Sequence, residues 1–385
     1  MTKKKIILVY DFLKELGGLE RMMFFYANCL SKKYDVELNF GYVSDKDKEA
    51  LIRELELSKK IKIKQIGNTK SELKQLAAFL LNSKGLAGKA DLIISFSFMS
   101  NKNAYNDKRL RKIPYVAVVC HPPNFLYPMS RGWINNLPRL FARLIGNLAG
   151  VWLRKKDKEY MRNAKQVLTI SQYTSRRVEQ IYGLKSKIIF PPLSEFFRMM
   201  SDREKINFIR QKNINKDFIL AHGRIIPDKE YKLIIPLIKD LSADLIISGS
   251  IEKEYRAELE KEIKKHNLGD RVKILGRISK EDLLGYYNCA KVFVNPAHKE
   301  DFGLTPIEAM ACGCPVVAWD DGAGPSETVL EGKTGLLAKP YDLTNFKNKI
   351  EQALEKRWDK KFILRHVNKF SKKSIEAEII KNISI

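Results

Sequence analysis

At 385 residues, 44% of them hydrophobic and 30% charged, the chain is too long for one ordinary core and too apolar for a disordered polymer, so about two globular domains are expected. Lys and Arg outnumber Asp and Glu by 70 to 45, a formal net charge of +25, which asks for an anionic partner: nucleic acid, an anionic membrane face or a phosphorylated ligand. Five scattered cysteines, Cys29, Cys120, Cys289, Cys312 and Cys314, make no C-x-x-C pair and no His/Cys cluster at zinc spacing, so a reducing compartment and no structural metal are expected.

Short apolar runs alternate with helical patterns along the chain. In the first half the runs are KIILVY (5–10), DVELNF (35–40), DLIISF (91–96), YVAVVC (115–120), QVLTIS (166–171) and KIIF (187–190). In the second they are FILAHG (218–223), DLIISGS (244–250), RVKILG (271–276), KVFVNPA (291–297), PVVAW (315–319) and TGLLA (334–338). This alternation marks parallel sheets covered by helices, and each half reads as a doubly wound α/β domain. The divider is placed at PPLSEFFRMMSDREK (191–205), where Pro191 and Pro192 stop a strand. Two such domains facing a cleft would turn the carboxyl ends of both sheets, where ligands bind, toward it.

After the first run comes DFLKELGGLERMMFFYANCL (11–30), with Gly17 and Gly18 just ahead of a helical pattern. It is not G-x-G-x-x-G, and no acid stands at the end of a second strand for a ribose. The position still allows a substrate to approach a helix terminus. His121 in CHPPNFLYP (120–128) follows another strand, with Pro122 and Pro123 holding the exit extended. It reads either as a turn residue or as a site histidine. In LPRLFARLIGNLAGVWLRKKDKEYMR (137–162), Leu140, Leu144, Leu148 and Val151 share a stripe with Phe141, Ile145 and Trp152 beside it. Arg139, Arg143, Asn147 and Arg154 line another face. Such a helix packs on a sheet or lies in an anionic membrane surface. No apolar run of ~18 residues is present to span a bilayer. Lys3 to Lys5 lead only into a short strand and do not read as a signal peptide, so a cytoplasmic location is expected.

Two loops of the second half carry the chemistry. In GRIIPDKE (223–230), Asp228 is a candidate N-cap for a helix through KEYKLIIPLIKDL, which sets Lys229 in a first turn against the helix dipole. Arg224 as a fork and Lys229 as a point charge suit a diphosphate, and two solvated surface cations are the plainer reading. In HKEDFGLTPIEAMACGCPVV (298–317), Thr305 reads as N-cap, Pro306 as first helical residue and Glu308 as a capping-box acid, with Gly313 and Pro315 ending the helix. Glu300 stands before the turn at a strand's carboxyl end. Gly303 permits close backbone approach, and helix-start amides favour an anion. A carboxylate for hydroxyls beside amides for a phosphate fits a sugar phosphate.

Together these stretches resemble the family 4 retaining glycosyltransferases of the GT-B fold. EDFGLTPIEAMACGCPVVA (300–318) resembles that family's E-x7-E motif, and GRIIPDK (223–229), GGLER (17–21) and GAGPSETVLEGKTGLL (322–337) follow in kind. The resemblance implies an acceptor domain over 1–195, a nucleotide-sugar domain over 196–365 and a terminal helix, 366–385, packing back on the first. It implies that Arg224 and Lys229 hold a donor diphosphate, that Glu300 meets the transferred sugar, and that Glu308 meets the ribose hydroxyls in place of capping. Amides of Phe302, Gly303, Leu304 and Thr305 would face donor sugar or phosphate, Gly17 and Gly18 would lie near the phosphates, and His121 would stand beside the donor sugar. CHPPNFLYP, IIFPPLS and GPSETV look most like mannosyltransferases of lipid-linked or cell-surface glycan assembly.

The expectation is a hexosyltransferase, mannose favoured, using a GDP- or UDP-sugar with no cofactor and no metal. It would act on a lipid-linked or glycan acceptor, in the cytoplasm or peripherally on the inner face of the membrane. Two positions depart from the pattern: Glu230 stands where a Gly is common, and GAGPSE replaces G-G-x-x-E. The competing readings are a sugar-nucleotide epimerase, a nicotinamide dehydrogenase whose fingerprint is missing, and a non-catalytic basic protein. No nucleic-acid-binding signature is found, so nucleic acid is not the expected partner.

Overall fold

The computed structural model describes residues 3–13, 17–43, 57–65, 81–82, 89–124, 126–127 and 139–383, with backbone only at 12, 42, 43 and 139–149. Residues 14–16, 125 and 128 of the loops quoted above lie outside the described residues. The chain divides into two compact units, Met1–Pro192 with Lys373–Ile385, and Leu193–Lys372. Residues 366–372, expected with the terminal helix, belong to the second.

The first unit runs β1 (Lys5–Leu13), α1 (Gly18–Ser31), β2 (Asp35–Val43), β3 (Lys62–Gln65), β4 (Leu92–Ser95), α2 (Phe98–Arg111), β5 (Tyr115–Val119), α3 (Arg139–Arg162), β6 (Gln166–Thr169), α4 (Gln172–Tyr182) and β7 (Lys187–Ile188). Among the described residues its strands form one parallel sheet in the order β3-β2-β1-β4-β5-β6-β7. The apolar runs become strands because both sheet faces are covered: on one face Ile7, Val9, Ile93 and Tyr115 pack with Ala104 of α2, and Ala117, Val119 and Val167 with Met161 of α3 and Val178 of α4, while on the other Ile6, Leu8, Ile94, Val116 and Val118 are buried as well. The edge strand β3 reads KIKQ and carries no apolar signal. Lys64 on it and Lys5 on β1 both pair with Glu37 of β2, at 3.0 and 2.9 Å, which ties the edge down with charge.

Helix α3 answers part of the amphipathic question. Its carboxyl half packs, with Asp157, Tyr160 and Met161 buried, while Val151 and Trp152 are 57% and 58% exposed. The side chains of Arg139 through Leu148 in that pattern lie outside the described residues. Among the described residues no helix is long and apolar enough to cross a membrane.

The second unit runs α5 (Asp202–Gln211), β8 (Phe218–His222), β9 (Asp244–Ser248), α6 (Lys253–Lys265), β10 (Val272–Gly276), α7 (Lys280–Cys289), β11 (Val292–Asn295), α8 (Leu304–Ala311), β12 (Val316–Trp319), α9 (Gly324–Thr328), β13 (Gly335–Ala338), α10 (Leu343–Glu355) and α11 (Lys360–Val367). Its sheet is parallel in the order β10-β9-β8-β11-β12-β13. Ile219, Leu245, Val292 and Val317 anchor its core with Trp319 and Phe346. The last helix, α12 (Lys372–Asn382), joins the first unit from Lys373 onward, where Glu376 pairs with Lys32 just beyond α1.

Just past β8 and β9 the two backbone segments leave no room for a side chain between Gly223 and Gly249. A Cβ at Gly249 would stand 1.7 Å from the carbonyl oxygen of Gly223, and φ at the two glycines is 138° and 152°, which only glycine adopts at low cost. Gly249→Ala is expected to destabilise the second unit by about 3 kcal/mol through clash and strain. Chemical denaturation of the full chain measures this, and a wild-type midpoint would refute the close approach.

Candidate functional site

In the second sheet β8 is flanked by β9 and β11, so the strand order reverses between β8 and β11. In doubly wound sheets that reversal opens a crevice at the strands' carboxyl ends. The loops after β8 and β11 carry the two candidate motifs.

After His222 the chain passes Gly223 and Arg224 while still pairing with the strand beside it: Gly223 N–H donates to the Ser248 carbonyl at 3.1 Å and Ile225 N–H to that of Ser250 at 2.6 Å. Arg224 is exposed. The helix expected from Asp228 onward does not form. Pro227–Lys229, Tyr231–Leu233 and Pro236–Lys239 are three separate 3-10 turns, the first begins after Ile226 with no side-chain cap, and Glu230 between the first two is left-handed at φ 55°. Pro236 has no N–H to continue an α-helical ladder, so the segment winds in short pieces. The apolar period survives, since Tyr231, Ile234, Ile235, Ile238 and Leu241 are buried. Lys229 is thus held by turn geometry, with no helix dipole to oppose it.

On the second loop, Lys299 is left-handed at φ 52°. Its N–H donates to Asp321 Oδ2 at 2.7 Å and its Nζ to the Asp321 carbonyl at 2.5 Å. The Glu300 carbonyl accepts the Gly324 N–H at 2.8 Å, so the start of α9 backs the loop. The capping-box reading of α8 is corrected. The N-cap is Gly303 at φ 81°, Leu304 and Thr305 are the first two helical residues, and Pro306 is the third. A proline there costs little, because its missing N–H has no intrahelical acceptor anyway. Glu308 therefore lies in the second turn, where its Oε2 accepts from the Tyr287 hydroxyl at 3.1 Å. Burial first, and then the Glu308 charge, push the Tyr287 phenol well above its usual range.

The two loops meet in an ion pair between Lys229 Nζ and Glu300 Oε2, each side chain 22% exposed. Lys229 and Glu300 are thus in contact, Arg224 shares a loop with the first, and Phe302, Gly303, Leu304 and Thr305 follow the second. Behind them His222 accepts or shares a hydrogen bond with Ser248 Oγ at 2.9 Å, and burial pulls its imidazole down to about 4, so it is neutral at pH 7. Tyr287 and the Gly249 contact were beyond sequence reasoning, since both depend on segments far apart in the chain. Among the described residues no group of three or more His, Cys, Asp or Glu side chains is placed to hold a metal ion.

The remaining candidates lie in the first unit. Gly17 is the extended N-cap of α1 and Gly18 its first residue, both exposed. Glu20 accepts from the Gly17 amide at 3.0 Å and from the Tyr10 hydroxyl at 3.1 Å. His121 is exposed, two residues past β5. Asp11, in the last turn of pleat of β1, is buried and accepts from Ser100 Oγ at 2.6 Å.

Residues 202–375 match the family described as Glycosyl transferases group 1, a span that takes in Arg224, Lys229, Glu300 and Glu308. Over that span the chain is similar to this family. It is 26% identical over 211 residues to the uncharacterized glycosyltransferase MJ1178 of Methanocaldococcus jannaschii, covering 55% of this chain and 56% of that one. It is 29% identical over 222 residues to the alpha-1,3/1,6-mannosyltransferase ALG2 of Dictyostelium discoideum, covering 49% and 52%. The chain thus spans about half the length of these curated relatives. Anabaena Alr3699/HepE, solved in complex with UDP and glucose, matches with a TM-score of 0.74 at 19% identity over 98% of both chains. The fold is that of the GT-B glycosyltransferases.

Burial raises the Asp11 carboxyl from 3.8 to about 6, against hydrogen bonds from Ser100, Ser97 and backbone amides that lower it. A raised folded value means the protonated acid favours the fold: the contribution is complete below about 3.8 and lost as pH rises through about 6. Asp11→Asn is therefore expected to exceed the wild type in stability at pH 7.5, by about 3 kcal/mol at most, with the gap closing toward pH 4. Denaturation at the two pH values checks this, and a gap independent of pH would refute it.

Proposed function

We propose that the protein is a retaining glycosyltransferase that moves a hexose from a nucleoside diphosphate sugar to an acceptor hydroxyl. The observation that carries this is the Lys229–Glu300 pair at the strand reversal of a unit similar to the group 1 glycosyl transferases, with exposed Arg224 on one side and the amino end of α8 on the other. On this reading Arg224 and Lys229 neutralise the diphosphate, and the amides of Phe302 to Thr305 receive phosphate or sugar oxygens. Glu300 accepts from hydroxyls of the transferred sugar, and Glu308, already tethered by Tyr287, from those of the ribose. Gly17, Gly18 and His121 take the roles beside phosphates and donor sugar that the resemblance implies.

Two cations and a helix terminus stabilise the departing diphosphate, and the acceptor attacks the face the phosphate leaves while that phosphate takes the proton. Neither a metal nor a dedicated base is required. For the sugar we favour mannose, on the HPPNFLYP and GPSETV stretches and the mannosyltransferase among the relatives. The Anabaena structure holds UDP and glucose, so both GDP and UDP donors are to be tested. For the acceptor we infer a lipid-linked or glycan hydroxyl. Exposed Val151 and Trp152 beside Arg154, Lys155 and Lys156 support a peripheral position on the inner face of an anionic membrane.

Calorimetric titration with GDP, UDP and NAD tests the reading before any acceptor is known. Saturable binding of one nucleoside diphosphate is expected, weakened about a hundredfold in Lys229→Ala, since a charge-assisted contact of about 3 kcal/mol is lost. Glu300→Gln is expected to keep the fold and lose transfer. Undiminished binding by Lys229→Ala, or binding of NAD alone, would overturn the assignment, and an altered free sugar nucleotide without acceptor would mark an epimerase.

A further inference from the structure

The loops that carry Lys229 and Glu300 are joined a second time. His298 Nδ1 lies 3.2 Å from Glu230 Oε1, so each loop offers one cation or imidazole and one acid, and the partners cross over: Lys229 to Glu300, His298 to Glu230. The second contact is the better fixed. The His298 ring sits against Tyr341 at 4.1 Å and Trp319 at 5.6 Å between centroids. Trp319 is buried, packs on Phe346 at 4.3 Å, and donates its indole N–H to the Pro296 carbonyl at 2.7 Å. The imidazole is therefore held from the core side by tilted and edge-on ring contacts rooted in β12 and α10.

The backbone around this contact is unusual. Among the described residues six non-glycine positions have positive φ, and three of them, Glu230 at 55°, Lys299 at 52° and Tyr341 at 65°, surround His298. Such a conformation costs an L-residue about 1–2 kcal/mol, and it persists where the surroundings fix it, often at functional sites. At Glu230 glycine would take the same φ without strain, so the acid is kept against local preference.

We infer that Glu230 and His298 are a positioning pair that keeps the two loops in register when a donor diphosphate draws Lys229 away from Glu300. The inference rests on the transferase reading. Lys229 has one ammonium to share between Glu300 and phosphate, so its bridge weakens as the donor binds. The Glu230–His298 contact involves neither group and remains. The charged groups acting on His298 are Asp321 and Lys299, and Asp228 acts on Glu230. Burial lowers the imidazole from its usual value and raises the Glu230 carboxyl. A neutral imidazole can donate from Nδ1–H across that 3.2 Å to the Glu230 carboxylate, and Nε2, buried, has no partner among the described residues.

The test separates position from stability. Glu230→Gly removes the carboxylate and relieves the left-handed strain, so the Tm of the full chain is expected to hold or rise. Affinity for the bound nucleoside diphosphate is expected to fall about tenfold, the size of one hydrogen bond to a charged group. Glu230→Gln, which still accepts from Nδ1–H, is expected to recover most of that loss. A Glu230→Gly protein that binds GDP or UDP as tightly as the wild type would overturn the pairing alone, as would a Glu230→Gln protein no better than Glu230→Gly. A wild type that binds no nucleoside diphosphate would overturn the transferase reading and this inference with it.

Discussion

Lys229 and Glu300 meet, 71 positions apart in sequence, because β8 and β11 are hydrogen-bonded neighbours across the point where the second sheet reverses its strand order. Everything else at the candidate site depends on that adjacency. In a doubly wound sheet the segments leaving two such strands cover opposite faces and leave the carboxyl ends uncovered between them; here those segments are the 3-10 turns after β8 and helix α8 after β11. Parallel strands also bring both loops out at the same edge, so a cation on one can reach an acid on the other.

Holding two loops there has a structural cost that the sequence meets with particular residues. Backbone at a strand end must still find hydrogen-bond partners. Gly223 and Ile225 find theirs on Ser248 and Ser250, Lys299 on Asp321, and Gly324 on the Glu300 carbonyl. These bonds fix the loop backbones without using the side chains of Arg224, Lys229 or Glu300, which leaves those side chains available for chemistry. The division of labour explains why a loop can be both well ordered and reactive.

The strands of both sheets were legible because fully covered parallel strands must be apolar runs, and every run quoted from the sequence lies on one. β3 was not, since an edge strand held by Lys5, Lys64 and Glu37 gives no apolar signal. The segment after Arg224 shows a subtler limit. Burial of Tyr231, Ile234 and Ile238 follows a helical period, but 3-10 turns bury nearly the same positions, so periodicity fixed the buried face and left the winding open. At α8 the local capping rule chose Thr305, whereas the left-handed Gly303 set the start two residues earlier. The candidate pair Glu300 and Glu308 is pointed to by motif resemblance. Its physical supports, Tyr287 for Glu308 and Lys229 for Glu300, are tertiary and left no mark at short range.

The resting ion pair bears on which ligands the site accepts. A close pair of unit charges near a protein surface attracts by about 4 kcal/mol at 4 Å, so a ligand that takes Lys229 must offer comparable attraction in return. A singly charged anion replaces one contact with another and gains little. A diphosphate carries charge enough to engage exposed Arg224 and Lys229 together and still reach the amides at the start of α8, while Glu300, once released, needs donors such as sugar hydroxyls to satisfy it. On the transferase reading, the charge that draws the donor in and the hydroxyls that settle Glu300 come from the same molecule, which disfavours occupancy by either part alone. On the same reading the large positive net charge acts at long range to gather anions, and the pair at the strand reversal would discriminate among those that arrive.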